Sequence, residues 1–140
     1  MKISRTVSYA IYAVLQLARE SAGVPVSCSQ LARVGQLPKR FLLQILRQLV
    51  THGVLESTRG ADGGYYLSRP PEQISLRDIV EAFDKPSDFV LPALPGFSAT
   101  ARSRVVKALR DMVDAGRDEL AKLSLADLIR PSGGGSSMGE

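Results

Sequence analysis

Ser57-Thr58-Arg59-Gly60-Ala61-Asp62-Gly63-Gly64-Tyr65-Tyr66-Leu67 decides the fold. Three glycines and an Asp stand at a chain reversal, with Leu55 before it and Tyr65 and Leu67 after it. That composition reads as a β-hairpin with strands over 54–57 and 65–68. Gly63 and Gly64 are expected to supply positive φ for the reversal. Tyr65 and Tyr66 alternate in direction, so one faces the core and the other outward. The alternation does not say which.

Upstream, Ile3, Val7, Ala10, Ile11, Val14, Leu15 and Ala18 form one apolar stripe and predict a helix over 2–21, ended by Gly23 and Pro25. The Ser27-Cys28-Ser29 cap region opens a short helix over 30–34 that stops at Gly35. Pro38 suits the first turn of a third helix, which runs to about His52 and ends at Gly53. A short helix, a turn through Gly35 and Gln36, and a longer helix are helix-turn-helix spacing. A hairpin directly after them is the wing of a winged helix. The expected fold is therefore mostly α with one small β-hairpin.

Pro70 and Pro71 interrupt the chain. Ser75-Leu76-Arg77-Asp78 resembles a capping box and starts a helix over 76–83. No period is visible over 84–100, where Pro86, Pro92 and Pro95 oppose regular structure, although Phe89, Val90, Leu91, Leu94 and Phe97 imply partial packing. A long helix follows over 101–123, with a stripe of Val105, Leu109, Met112, Val113, Leu120 and Leu123 and a weak point at Gly116. Ser124 caps a last short helix over 125–129, and the Gly/Ser-rich 131–140 is expected to be a disordered tail. The expected organisation is 1–83 as the winged helix-turn-helix domain, 84–100 as a linker, 101–130 as the long and terminal helices, and 131–140 as the tail.

Charge is divided along the chain. Residues 1–70 hold nine Lys or Arg against three acids, a net +6, and residues 71–140 hold nine against eleven, a net −2. The basic excess coincides with the third helix and the hairpin, which points to a polyanion-binding head on a neutral or acidic body. A lone Cys28 excludes an internal disulfide and suits a reducing compartment. With no apolar stretch near ~20 residues and no signal-peptide pattern, a cytoplasmic location is expected.

In the third helix Leu42, Ile45, Leu46 and Leu49 make the core face, leaving Lys39, Arg40, Leu43, Gln44 and Arg47 outward. Cations and an amide there suit a helix in a DNA major groove, where they neutralise phosphates, pair with guanine or read adenine. Leu43 either touches a thymine methyl or is a plain surface leucine. Arg59 fits minor-groove insertion, with Gly60 allowing close approach. The candidate DNA-binding set is Lys39, Arg40, Leu43, Gln44, Arg47, Arg59, Gly60 and Tyr65.

The chain resembles the Rrf-two family of bacterial winged-helix regulators. The matching residues are Tyr9-Ala10, Phe41-Leu42-Leu43-Gln44-Ile45-Leu46, Gly53-Val54-Leu55, Arg59-Gly60, Gly63-Gly64-Tyr65-Tyr66-Leu67, Ile74-Ser75-Leu76-Arg77-Asp78-Ile79-Val80-Glu81-Ala82 and Ser124-Leu125-Ala126-Asp127-Leu128. The resemblance implies a homodimer on an imperfect palindrome, with the 101–123 stripe (Val105, Leu109, Met112, Val113, Leu120, Leu123) as dimer interface. It also implies DNA contacts at Gln44 and Arg59-Gly60. Leu43 departs from the glutamate of cluster-binding members, so the operator should differ. Those members carry three cysteines in the segment matching 86–105, where this chain has neither Cys nor His. Iron–sulfur clusters need mostly four thiolates, so no cluster and no other cofactor is expected.

Cys28 reads as a small capping-region residue, the alternative being a redox-sensing thiol at a helix N-terminus. His52 reads as a helix C-terminal cation. No metal-ligand spacing, nucleophile elbow, Walker loop or dinucleotide motif is present, which argues against an enzyme and against catalytic or metal residues. The expected function is a dimeric, sequence-specific DNA-binding transcriptional regulator, a repressor, with duplex DNA as partner. An unidentified small-molecule or protein effector would act through 86–100 or the dimer interface. The other class is a winged helix used as a protein-interaction module.

Overall fold

The computed structural model describes residues 4–20, 23–60, 63–83 and 89–130. Expectations for Ile3, the wing-tip residues Ala61 and Asp62, the start of the linker and the 131–140 tail lie outside them. The elements run α1 (Arg5–Arg19), α2 (Cys28–Gly35), α3 (Lys39–Thr51), β1 (Leu55–Thr58), β2 (Gly64–Leu67), a 3-10 turn (Pro71–Gln73), α4 (Leu76–Glu81), α5 (Ala99–Ala121) and α6 (Leu125–Ile129). This is the expected helical winged-helix architecture with one hairpin and a long C-terminal helix.

Every α-helix except α3 starts where a hydroxyl can serve its first free amides. Ser4, Ser27, Ser75, Ser98 and Ser124 all accept a bond from the backbone N–H three residues on. At Ser75 and Ser124 the box is complete, with Asp78 and Asp127 reaching back to the cap N–H. The boundaries differ in detail. Cys28 is the first residue of α2 rather than part of its cap. Pro38 is the N-cap of α3, not its first helical residue. Both strands sit within one residue of expectation, and α5 starts two residues early because Ser98 caps it.

One core joins these elements apart from α5, which gives it no buried side chain. Val14, Leu42, Leu46, Leu49, Ile74, Ile79 and Leu125 all have 0% exposure in it. Removing such a leucine to the β-carbon costs about 2–5 kcal/mol. The structure also seats α6 back on α1 and the 3-10 turn, where Leu125 joins the same core. Main-chain bonds fix that return. Leu76 N–H donates to Leu123 O at 2.8 Å, and Leu125 N–H donates to Ile74 O at 2.9 Å.

The hairpin pairs Leu55 with Leu67, Glu56 with Tyr66, Ser57 with Tyr65 and Thr58 with Gly64. Val26 adds an isolated antiparallel bridge to the hairpin's edge, exchanging N–H···O bonds of 2.9 and 2.8 Å with Tyr65. This arrangement corrects the expected glycine chemistry. Positive φ falls at Gly60 (103°), not at Gly63 or Gly64. Those two are required by space. A β-carbon on Gly64 would stand 2.5 Å from Val26 carbonyl atoms, and one on Gly63 would stand 2.5 Å from Thr58 O. In the helix-turn-helix the turn's left-handed residue is Gln36 (φ 55°). Gly35 is small because the Tyr12 ring lies 2.6 Å from where its β-carbon would be.

Candidate nucleic-acid interface

At about 100° per residue, Arg40, Gln44, Arg47 and Thr51 fall on the side of α3 opposite Leu42, Ile45, Leu46 and Leu49. The burial follows that geometry, with the first four exposed and the second four buried. Lys39 is also exposed at the start of the helix. Leu43 is not fully outward. It is half-buried and packs against the core, so the sequence expectation is corrected there. Its angular position lies between the core stripe and the exposed stripe, and the apolar side draws it in.

Two elements converge beside this face. Arg47 from α3 and Arg59 from the wing line one open cleft of about 710 Å³, together with Tyr65 and the start of α2 at Ser27 and Cys28. Among the described residues no acid contributes to its walls. Lys39, Arg40 and Gln44 stand on the same helix but outside that cleft, and Gly60 lies just beyond its rim in sequence. Val50, Thr51, Ser57 and Thr58 also line it and were missed from the sequence. Thr51 was readable as the residue one turn beyond Arg47. The strand hydroxyls needed the hairpin's placement against α3.

The cations here are unneutralised. Among the described residues the side chains of Lys39, Arg40, Gln44, Arg47 and Arg59 have no hydrogen bond or ion pair. The C-terminal half differs. Arg77 and Arg117 both hold Glu81, Lys107 holds Asp111, Lys122 holds Glu119, and Arg130 holds Asp127. Free guanidinium groups on a convex helix beside a projecting hairpin are suited to phosphates and base edges.

The tyrosine question resolves by contacts. Tyr65 packs against the core and lies near Arg47, while burial pushes its hydroxyl above the usual tyrosine range and the Arg47 charge opposes the rise. Tyr66 points to the other face, where its hydroxyl donates to Glu56 Oε1 at 2.8 Å. Cys28 is 7% exposed, and its thiol donates to Lys39 O at 3.7 Å. Burial raises its pKa, with the Lys39 charge pulling the other way, so its surroundings oppose thiolate formation. His52 caps α3, with Nδ1 3.1 Å from Gln48 O.

This face is tied to the rest of the chain by few polar bonds. Gln48 Nε2 donates to Ala82 O at the end of α4 at 3.1 Å. Glu81 in α4 then meets Arg117 of α5 at 3.4 Å. On α5 itself the apolar stripe divides. Leu109, Val113 and Leu120 are half-buried on the side that packs towards α4, and Val105, Met112 and Leu123 stay 41%, 53% and 42% exposed. No side chain of this 23-residue helix is fully buried.

Comparison with known proteins fits this geometry. The profile of the Rrf2 family, described as "Iron-dependent Transcriptional regulator", matches residues 3–131. A Mycobacterium tuberculosis (strain H37Rv) protein named as an HTH-type transcriptional regulator is 36% identical over 133 residues, covering 91% of this chain and 81% of that protein. The HTH-type transcriptional regulator CymR of Bacillus subtilis is 33% identical over 86 residues, 61% of this chain and 62% of CymR. Among solved structures, B. subtilis CymR superposes with a TM-score of 0.70 at 27% identity, covering 91% of this chain and 95% of CymR. T. potens IscR superposes with a TM-score of 0.70 at 28% identity, covering 92% and 86%.

Proposed function

Because the chain belongs to the Rrf2 family of HTH-type transcriptional regulators, we propose that it works as a homodimer that represses transcription by occupying a palindromic operator. Each protomer sets α3 in a major groove, with Arg40, Gln44 and Arg47 towards base edges and phosphates and Lys39 at the flank. Arg59 and Gly60 of the wing enter the adjoining minor groove. Leu43 sits at the edge of the interface, and Tyr65 supports the cleft wall. Two-fold symmetry places the half-sites about 34–36 Å apart, or a multiple of that. Repression follows from occupancy, since a dimer on the duplex excludes another protein from the same site. Such a regulator acts in the cytoplasm, where the DNA is.

The observation that carries this reading is the convergence of Arg47 and Arg59, from separate elements, on one cleft where, among the described residues, neither is paired and no acid lines the wall. A protein-docking surface would gain little from such charges, whereas a phosphate backbone requires them. The exposed edge of α5, Val105, Met112 and Leu123, supports the dimer. Those residues make the interface with the second chain, with the half-buried Leu109, Val113 and Leu120 flanking it on the side towards α4.

The family's description names iron, and the donor set here does not suit an iron–sulfur cluster. Cys28 is the one thiol in the sequence and is buried at the start of α2. The described residues hold no group of three or more His, Cys, Asp or Glu able to bind a metal ion. We therefore assign a regulator that does not use a cluster. Selecting bound duplexes from a random pool tests the function. An enriched sequence with two-fold symmetry is expected, and recovery of no motif, or of one without symmetry, would overturn it.

A further inference from the structure

We propose that the cleft between segment 89–91 and the N-terminal half of α5 is a binding site for a small organic anion with an apolar body, its acidic group held by Arg102. The cleft has a volume of about 520 Å³, and Phe89, Val90 and Leu91 form its apolar wall. Arg102 lines it from the first turns of α5, and its Nε is buried without a hydrogen-bond partner among the described residues. A buried N–H left unpaired carries its full desolvation cost. A carboxylate or phosphate supplies the missing acceptor and matches the planar guanidinium fork.

The other charges of the cleft do not fill that role. Lys107 is held by Asp111 at 2.7 Å, and Arg110 already has a partner. Asp114 is twelve residues further along α5, roughly 18 Å at 1.5 Å per residue. The first turn of α5 has no acid, so the positive end of the helix dipole adds to Arg102 rather than opposing it. Val90 is 84% exposed beside this group, an apolar side chain left largely uncovered. A charged head with an apolar body satisfies both features at once.

No α3 or wing residue lines this cleft, so the site does not depend on the DNA-binding reading. The probes are benzoate and phenyl phosphate, with benzamide as a neutral counterpart, titrated into the full chain by calorimetry and followed by thermal shift. Both anions should bind and raise the melting temperature, and benzamide should not. Arg102→Met keeps the apolar stem without the charge and should weaken anion binding by roughly ten- to a hundredfold. Arg102→Lys should retain part of it. Equal binding of benzamide, or unchanged affinity in Arg102→Met with Arg102→Lys folded and equally unaffected, would overturn the proposal. So would failure of both anions to bind, as happens if the second chain of the dimer covers the cleft.

Discussion

Replacing Arg59 by alanine separates a DNA contact from a structural role. The Arg59 side chain is exposed and makes no hydrogen bond or ion pair among the described residues. Its loss should therefore change stability by no more than about 0.5 kcal/mol, or roughly 2 °C for a chain of this size. Binding should respond differently. In a symmetric dimer the substitution removes two guanidinium groups from the duplex. Each phosphate contact contributes about 0.9 to the slope of log K against log salt, so the slope should fall by about 1.8. Between ~50 and ~200 mM salt that amounts to roughly a twelvefold smaller loss of affinity than in the wild type. Fluorescence anisotropy on a selected duplex, repeated across that salt range, measures it. An unchanged slope, or a melting temperature lowered by many degrees, would refute the placement of Arg59 against the duplex. A flat slope in the wild type itself would favour a protein-docking surface.

Four further outcomes follow from the geometry. Met112→Glu places a charge on the exposed edge of α5, so sedimentation should show monomers with an intact circular-dichroism spectrum; a persistent dimer would move the interface elsewhere. Gly64→Ala drives a β-carbon to 2.5 Å from Val26 and should cost about 1–3 kcal/mol in chemical denaturation, whereas a neutral effect would mean the hairpin moves freely away from Val26. Gly116→Ala meets nothing within 4 Å and should stabilise α5 by up to about 1 kcal/mol, unless a second chain packs against that position. The Asp127 carboxylate is held below its ordinary value of 3.8, first by the bond from the Ser124 backbone N–H and then by the Ser124 hydroxyl. Its folded pKa is thus depressed. The capping contribution is present above 3.8 and lost as the pH falls through the lower, folded value. Asp127→Asn should be less stable than wild type near neutral pH and converge with it in strong acid; a constant gap would place the effect elsewhere.

Local chemistry was readable from the chain because it is periodic or stepwise. Ser75 followed by Asp78 announces a capping box, and the box forms with both bonds. Leu42, Ile45, Leu46 and Leu49 recur at helical spacing, and all four are buried. Gly53 after His52, and glycines between strand-like runs, punctuate the helix and hairpin where the structure has them. These signals depend on neighbours within about four positions, which is the reach of a helix turn or a hairpin register.

What tertiary structure alone decided involves residues far apart in sequence. The pairing of Val26 with Tyr65 makes Gly64 a matter of clearance instead of backbone freedom, and nothing near Gly64 in sequence reveals Val26. Tyr12 does the same for Gly35. Packing between elements also holds Leu43 and Tyr65 against the core and leaves Tyr66 on the outer face. It brings Leu125 back into the winged-helix core and sets Arg47 beside Arg59. Periodicity assigns a side chain to a face; only the packing of separate elements determines what that face meets, because excluded volume and burial act between atoms close in space whatever their distance along the chain.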